Sequence, residues 1–226
     1  MFFFINETLY MMRFKLTLAF ILIFGISQAQ KDTEIGIVGG LNFSTYTYTD
    51  DAVEGLMSGY RKIKTGTQAG IFIIHELNPM LALSSEIIYS RKGLSYEQAG
   101  IREGVNKFNY LQWASAGNYA LINKRERNLL FGLGFYTAFW INGSFTHSSL
   151  QTGEYFSEPV VFVSPDYEYN RWDVGIKTQI IARNPQKPWV FSLSYEHGML
   201  ESSKKAADSF RNRLLFVTLA YSFIRK

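Results

Sequence analysis

Between Glu34 and Phe223 the chain alternates in character over eight stretches, and the segments joining them run long, short, long, short, long, short, long. Period-two alternation is the mark of a strand with two unlike faces. The order of the joins narrows the choice further. A ring of antiparallel strands whose two ends lie on the same side needs short turns at one end and long loops at the other. Closure of such a ring also removes the unpaired edges that lipid would penalise.

The first stretch, Glu34 to Ser44, sets Ile35, Ile37, Leu41 and Phe43 against Gly36, Val38, Gly40, Asn42 and Ser44. After a polar segment of about 45–65 comes the second, 66–77, and Asn78-Pro79 marks a tight turn. The third, 80–92, opposes Leu81, Leu83, Ile87 and Tyr89 to Ala82, Ser84, Glu86 and Ser90. A polar connection, 93–106, leads to the fourth, 107–122, and residues 123–127 form a charged turn. The fifth, 128–142, carries Leu129, Phe131, Leu133, Phe135, Phe139 and Ile141 on one face. The longest connection, 143–169, precedes the sixth, 170–183, and Asn184 to Pro188 turns into the seventh, 189–197.

The last stretch, Arg213 to Phe223, closes the set with Leu215, Val217, Leu219, Tyr221 and Phe223 on a wholly apolar face. Roughly ten alternating residues is what a tilted strand needs to cross a bilayer, and its two terminal aromatics suit an interfacial girdle. A soluble barrel would turn the bulky apolar face inward. Here that face shares its strand ends with aromatic rings, while Gly, Ser, Thr and isolated charges share the other. The expected fold is therefore all-β, an eight-stranded antiparallel up-and-down transmembrane β-barrel of the outer membrane.

The start of the chain agrees with export. Met12 to Lys15 and the apolar run Leu16 to Phe24 read as the charged and apolar parts of a secretory signal, with cleavage expected after Ala29. Residues 1–29 are thus a signal peptide, with 1–11 as an upstream start, and 30–226 the barrel domain. The chain has no cysteine, which removes disulfides, thiol nucleophiles and thiolate metal sites. A net charge of +4 without a basic block gives no reason to expect nucleic acid as a partner.

Glu86, Asp173, Lys177 and Glu196 fall on the face that should line the interior, where a charge must be paired or hydrated. They read as a gate or selectivity filter, or as a salt-bridged plug. Eight strands leave an interior just filled by side chains, and Phe72, Tyr136 and Trp140 add bulk, so a plug is the expectation. His147-Ser148-Ser149 with Glu154 hints at acyl transfer, at a specificity no better than chance in a polar loop. Asp50, Asp51 and Glu54 lack calcium-loop spacing and read as solvated loop charge. His75 and His197 lie near strand ends, and Trp113, Trp172 and Trp189 suit lipid-interface rings. No catalytic, cofactor or metal site is expected.

Several of these segments resemble the PorT-like small outer-membrane barrels of Bacteroidetes. Gly39-Gly40-Leu41-Asn42-Phe43-Ser44 is similar to that family's opening strand, and Leu83 to Gly93 to its Glu-Leu-x-Tyr-Ser-x-Lys-Gly segment. Asn109-Tyr110-Leu111-Gln112 resembles its Asn-Tyr-Leu-Glu, with Gln112 for the usual Glu and Ala114 for the usual Pro. Tyr195 to Met199 resembles its Tyr-x-x-Gly-Leu ending. The resemblance implies an eight-stranded barrel and little about activity, although the family's namesake is linked to secretion and gliding machinery. The expected role is structural or interaction-based and not enzymatic. Its partners are outer-membrane lipid, the barrel-assembly machinery during insertion, and an envelope or extracellular partner met by the loops. The alternatives are a narrow channel for small or hydrophobic solutes, a lipid A-modifying hydrolase, and an accessory of a secretion system.

Overall fold

The computed structural model describes residues 33–98, 102–124, 127–149, 152–163, 169–203 and 209–225. Residues 1–29, read above as a signal peptide, lie outside the described residues. In chain order the elements are β1 (Thr33–Tyr48), α1 (Asp51–Met57), β2 (Arg61–Lys62), β3 (Lys64–Asn78), β4 (Leu81–Gln98), β5 (Arg102–Lys124), β6 (Arg127–Ser149), β7 (Tyr155–Pro159), β8 (Trp172–Arg183), β9 (Trp189–Gly198) and β10 (Phe210–Arg225).

Eight of these strands close a ring through antiparallel pairings: β1 with β3, then β4, β5, β6, β8, β9 and β10, which pairs back with β1. Following direct partners from Ile35 through Ile73, Ser85, Ser115, Phe135, Ile176, His197 and Arg213 returns to β1 at Thr45. The ring therefore closes with a stagger of ten residues, from position 35 to position 45. With eight strands, a rise of ~3.3 Å per residue and a strand spacing of ~4.8 Å, that stagger fixes a tilt of about 40°.

The outer wall follows the alternation. On β5, Leu111, Trp113, Tyr119 and Leu121 point outward and are exposed. The ten steps from Leu111 to Leu121 stand about 25 Å tall at this tilt, the height of an outer-membrane apolar band. Leu215, Leu219, Tyr221 and Phe223 of β10 are exposed on the same surface, while Phe216, Thr218, Ala220 and Ser222 are buried inside. Trp113, Trp172 and Trp189 all face outward.

The structure corrects the ends of the strands. β4 and β5 run on through residues 93–98 and 102–106, expected as a polar connection, and pair there from Gly93↔Lys107 to Gln98↔Arg102. β6 likewise continues to Ser149, and β7 adds to its free side from Ser144↔Pro159 to Ser148↔Tyr155. Above the apolar band water replaces lipid outside, so the outward positions turn polar and the alternation fades. The backbone ladder needs no such contrast and continues.

Candidate functional site

The interior is a stack of layers. Nearest the short turns, Arg183 bridges Glu34 at 3.0 Å and Glu76. Above it Val38, Phe72, Ile74, Leu130, Ile181 and Val190 pack into an apolar plug with several alanines. Gln179 donates to Asn118 at 2.7 Å and to Ser84 at 2.9 Å, forming an uncharged polar tier. Lys177 on β8 pairs with Glu86 on β4. Beside that pair lies a small cavity, about 30 Å³, bordered by Phe72, Ala116, Ile181 and Thr218. Such a volume admits a water or two.

The next tier centres on a residue that the charge reading passed over. Lys92 is fully buried, its ammonium donating to Gln112 at 2.7 Å and lying 3.7 Å from Glu196 and 3.9 Å from Asp173. Two ring faces, Tyr110 and Tyr136, flank it at 4.9 and 5.1 Å. Gln112 donates in turn to Glu196, while Asp173 accepts from Asn212 at 2.8 Å and from the Tyr136 hydroxyl at 3.1 Å. The four predicted luminal charges thus face inward in two groups, Glu86 with Lys177 and Asp173 with Glu196, and Lys92 holds the second. Continuing the inward series Glu86, Ile88, Ser90 by one step reaches Lys92, which was the available signal. Gln112, where the resembled family carries Glu, is the link between cation and anion here.

Aromatic rings seal the top of the stack. Tyr46 stacks on Phe210 at 4.1 Å, and Phe108 and Tyr110 pack on Trp140 at 4.4 and 5.8 Å. Trp140, Tyr136 and Phe108 are 0 % exposed. Phe162 and Tyr169, from the connection after β7, fold over Trp140 at 5.1 and 5.6 Å. A burial of this kind holds each ring through many small contacts.

An apolar exterior, a filled polar and aromatic interior and a closed eight-strand ring together are the build of an outer-membrane barrel. The family described as outer membrane protein beta-barrel domain matches residues 27–203. The chain belongs to that family. Its place is the outer membrane, and the short turns of this outer-membrane barrel accordingly face the periplasm and its long connections the outside. Among solved structures it is similar to Ail, the attachment invasion locus protein of Yersinia pestis, at 16% identity and a TM-score of 0.43, over 85% of this chain and 99% of that one. It is also similar to OprG from Pseudomonas aeruginosa, at 9% identity and a TM-score of 0.47, over 87% and 98%. Among curated proteins, none matches it.

The remaining candidates lie at the strand ends and outside. His147 stacks on Phe156 at 5.2 Å, Ser148 donates to Glu103 at 3.3 Å, and Ser149 Oγ accepts the Thr152 N–H at 3.2 Å. Glu154 accepts from the Thr152 hydroxyl at 3.2 Å. These contacts build a β-sheet tip and do not join His, Ser and Glu in one relay. Asp50 caps α1, accepting from Ala52 and Val53 N–H at 2.8 and 3.1 Å. Glu54 pairs with Arg61 and accepts from Tyr48 N–H at 2.9 Å. Slight burial pushes the Glu54 carboxyl upward, but those two donors outweigh it and hold it below the usual carboxylate range. His75 Nδ1 lies 2.9 Å from the Thr33 hydroxyl, and His197 is exposed beside Tyr195. Among the described residues no group of three metal-binding side chains assembles.

Proposed function

We propose that this barrel is a closed membrane platform whose working part is the sheet standing above the outer leaflet, where it meets an envelope or extracellular partner. One observation carries the reading: the lumen is filled tier upon tier, while β4, β5 and β6 rise past the apolar band with β7 attached. β7 pairs with β6 alone among the described residues, leaving its other edge open, and its Tyr155 and Phe156 are exposed. An open strand edge with exposed rings is a surface on which another chain can add a strand. We read the protein as non-enzymatic, and its insertion as dependent on the barrel-assembly machinery. Segments 39–44, 83–93 and 195–199 support a PorT-like lineage within Bacteroidetes.

A second reading, a narrow channel, is favoured by the cavity beside Glu86 and Lys177. Planar-bilayer recording of the folded chain separates the two. The platform reading expects no unitary steps. Reproducible steps whose size changes in Glu86→Gln would replace it with the channel.

A further inference from the structure

The outer wall is not uniform at its periplasmic end. Ala182 on β8 lies between Leu129 on β6 and Phe191 on β9, each its direct strand partner. A methyl group between two large side chains leaves a recess, and it opens to the bilayer as a cleft of about 750 Å³ with Trp189 at its edge. Three cations border the same cleft: Arg183, whose guanidinium is held on the luminal side by Glu34 and Glu76, and two lysines, Lys124, at the end of β5, and Lys187, in the turn between β8 and β9. Both lysines stand at the periplasmic rim of the apolar band, where headgroups lie.

We propose that this recess holds an anionic phospholipid of the periplasmic leaflet, with an acyl chain over Ala182 and the phosphate between Lys124 and Lys187. The cleft is continuous with the lipid-facing wall, so a lipid chain is what reaches it. The two lysines choose the headgroup, because an ammonium near a membrane surface attracts anionic lipid, and basic pockets on membrane proteins take such headgroups. A second recess on the same wall provides the contrast. It lies over Gly117, bordered by Leu83, Tyr119, Phe131 and Leu133, with a volume of about 380 Å³ and no lysine or arginine around it. That recess fits any acyl chain and discriminates between none.

The test uses the full folded barrel in mild detergent, offered phosphatidylglycerol, phosphatidylethanolamine and lipid A in equal amounts, with retained lipid counted by native mass spectrometry. Wild type should retain phosphatidylglycerol at least tenfold over phosphatidylethanolamine. Replacing both lysines, Lys124→Gln with Lys187→Gln, should lower phosphatidylglycerol retention roughly thirty-fold. Ala182→Phe, which fills the floor, should abolish retention, whereas Gly117→Phe should leave it unchanged. The lysine changes sit at the rim and turn and leave the packed wall intact, so they decide the matter even if Ala182→Phe fails to fold. Equal retention of the two phospholipids, a preference that survives loss of both lysines, or a stronger preference for lipid A phosphate would each overturn the proposal.

Discussion

Lys177 and Glu196 are direct partners on neighbouring strands, yet the ammonium of Lys177 pairs with Glu86 across the lumen. Glu196 is served instead by Gln112 and by Lys92. Lys177 therefore has a second carboxylate within its strand pair, and the cost of removing each member differs. Lys177→Met strips the partly buried Glu86 of its cation and should cost about 3 kcal/mol, the low end of the penalty for orphaning a buried charge, because the Glu86 side chain keeps 21% exposure. Glu86→Gln leaves Lys177 free to turn to Glu196 and should cost less, about 1–2 kcal/mol. Urea unfolding of the lipid-reconstituted barrel measures both, and equal costs would refute the second partner.

The tiers predict how the lumen responds to a single opening. Trp140→Ala removes the largest ring of the outer seal and should cost about 3–5 kcal/mol. It should still give no unitary conductance, because the apolar plug of Phe72, Leu130 and Ile181 lies intact below. Ion flow through Trp140→Ala alone would show that the plug is not a barrier.

Two glycines of the wall should behave oppositely. A Cβ on Gly134, which faces the lumen, would overlap the carbonyl oxygen of Ser115 on the next strand. Gly134→Ala should destabilise the barrel by about 1–3 kcal/mol. A Cβ on Gly117 meets nothing within 4 Å, so Gly117→Ala should be neutral or slightly stabilising. The shift of unfolding midpoint in urea distinguishes the two.

The first outer connection should respond to acid. Glu54 is held below its ordinary value of 4.5, against the small upward push of burial, by Arg61 and the Tyr48 N–H. A lowered carboxylate pKa adds stability that is complete above the ordinary value and lost as pH falls through the shifted one. The contacts of α1 with Tyr48 and Arg61 should therefore hold from neutral pH down to the ordinary carboxylate value of 4.5 and loosen only at lower pH. The Tyr48 amide signal in NMR should titrate with a midpoint under 4.5, and Glu54→Gln should abolish that titration.

How far the sequence reveals this molecule depends on what touches each face. Within the bilayer, lipid outside and a packed lumen inside keep the two faces chemically distinct, so segments such as Leu215 to Phe223 declare themselves. Beyond it that contrast ends: Ser95, Glu97 and Glu103 belong to a continuous ladder and still read as loop. α1 and β7 are short and amphiphilic in no clear period, and only the Asp50 cap announces the first. The inward direction of Glu86, Asp173, Lys177 and Glu196 follows from alternation. Their pairing does not, because Lys177 and Glu86 are 91 positions apart and meet only through ring closure and stagger.

The seam of the ring joins its first strand to its last, Thr45 to Arg213 among others. That contact needs both strands, so every unfinished barrel carries two naked edges, one on β1 and one on β10. Pairing of such distant segments is slow, and open edges invite aggregation in the meantime. The wall is complete only once β1 and β10 meet, and the unclosed form is the one most exposed to aggregation.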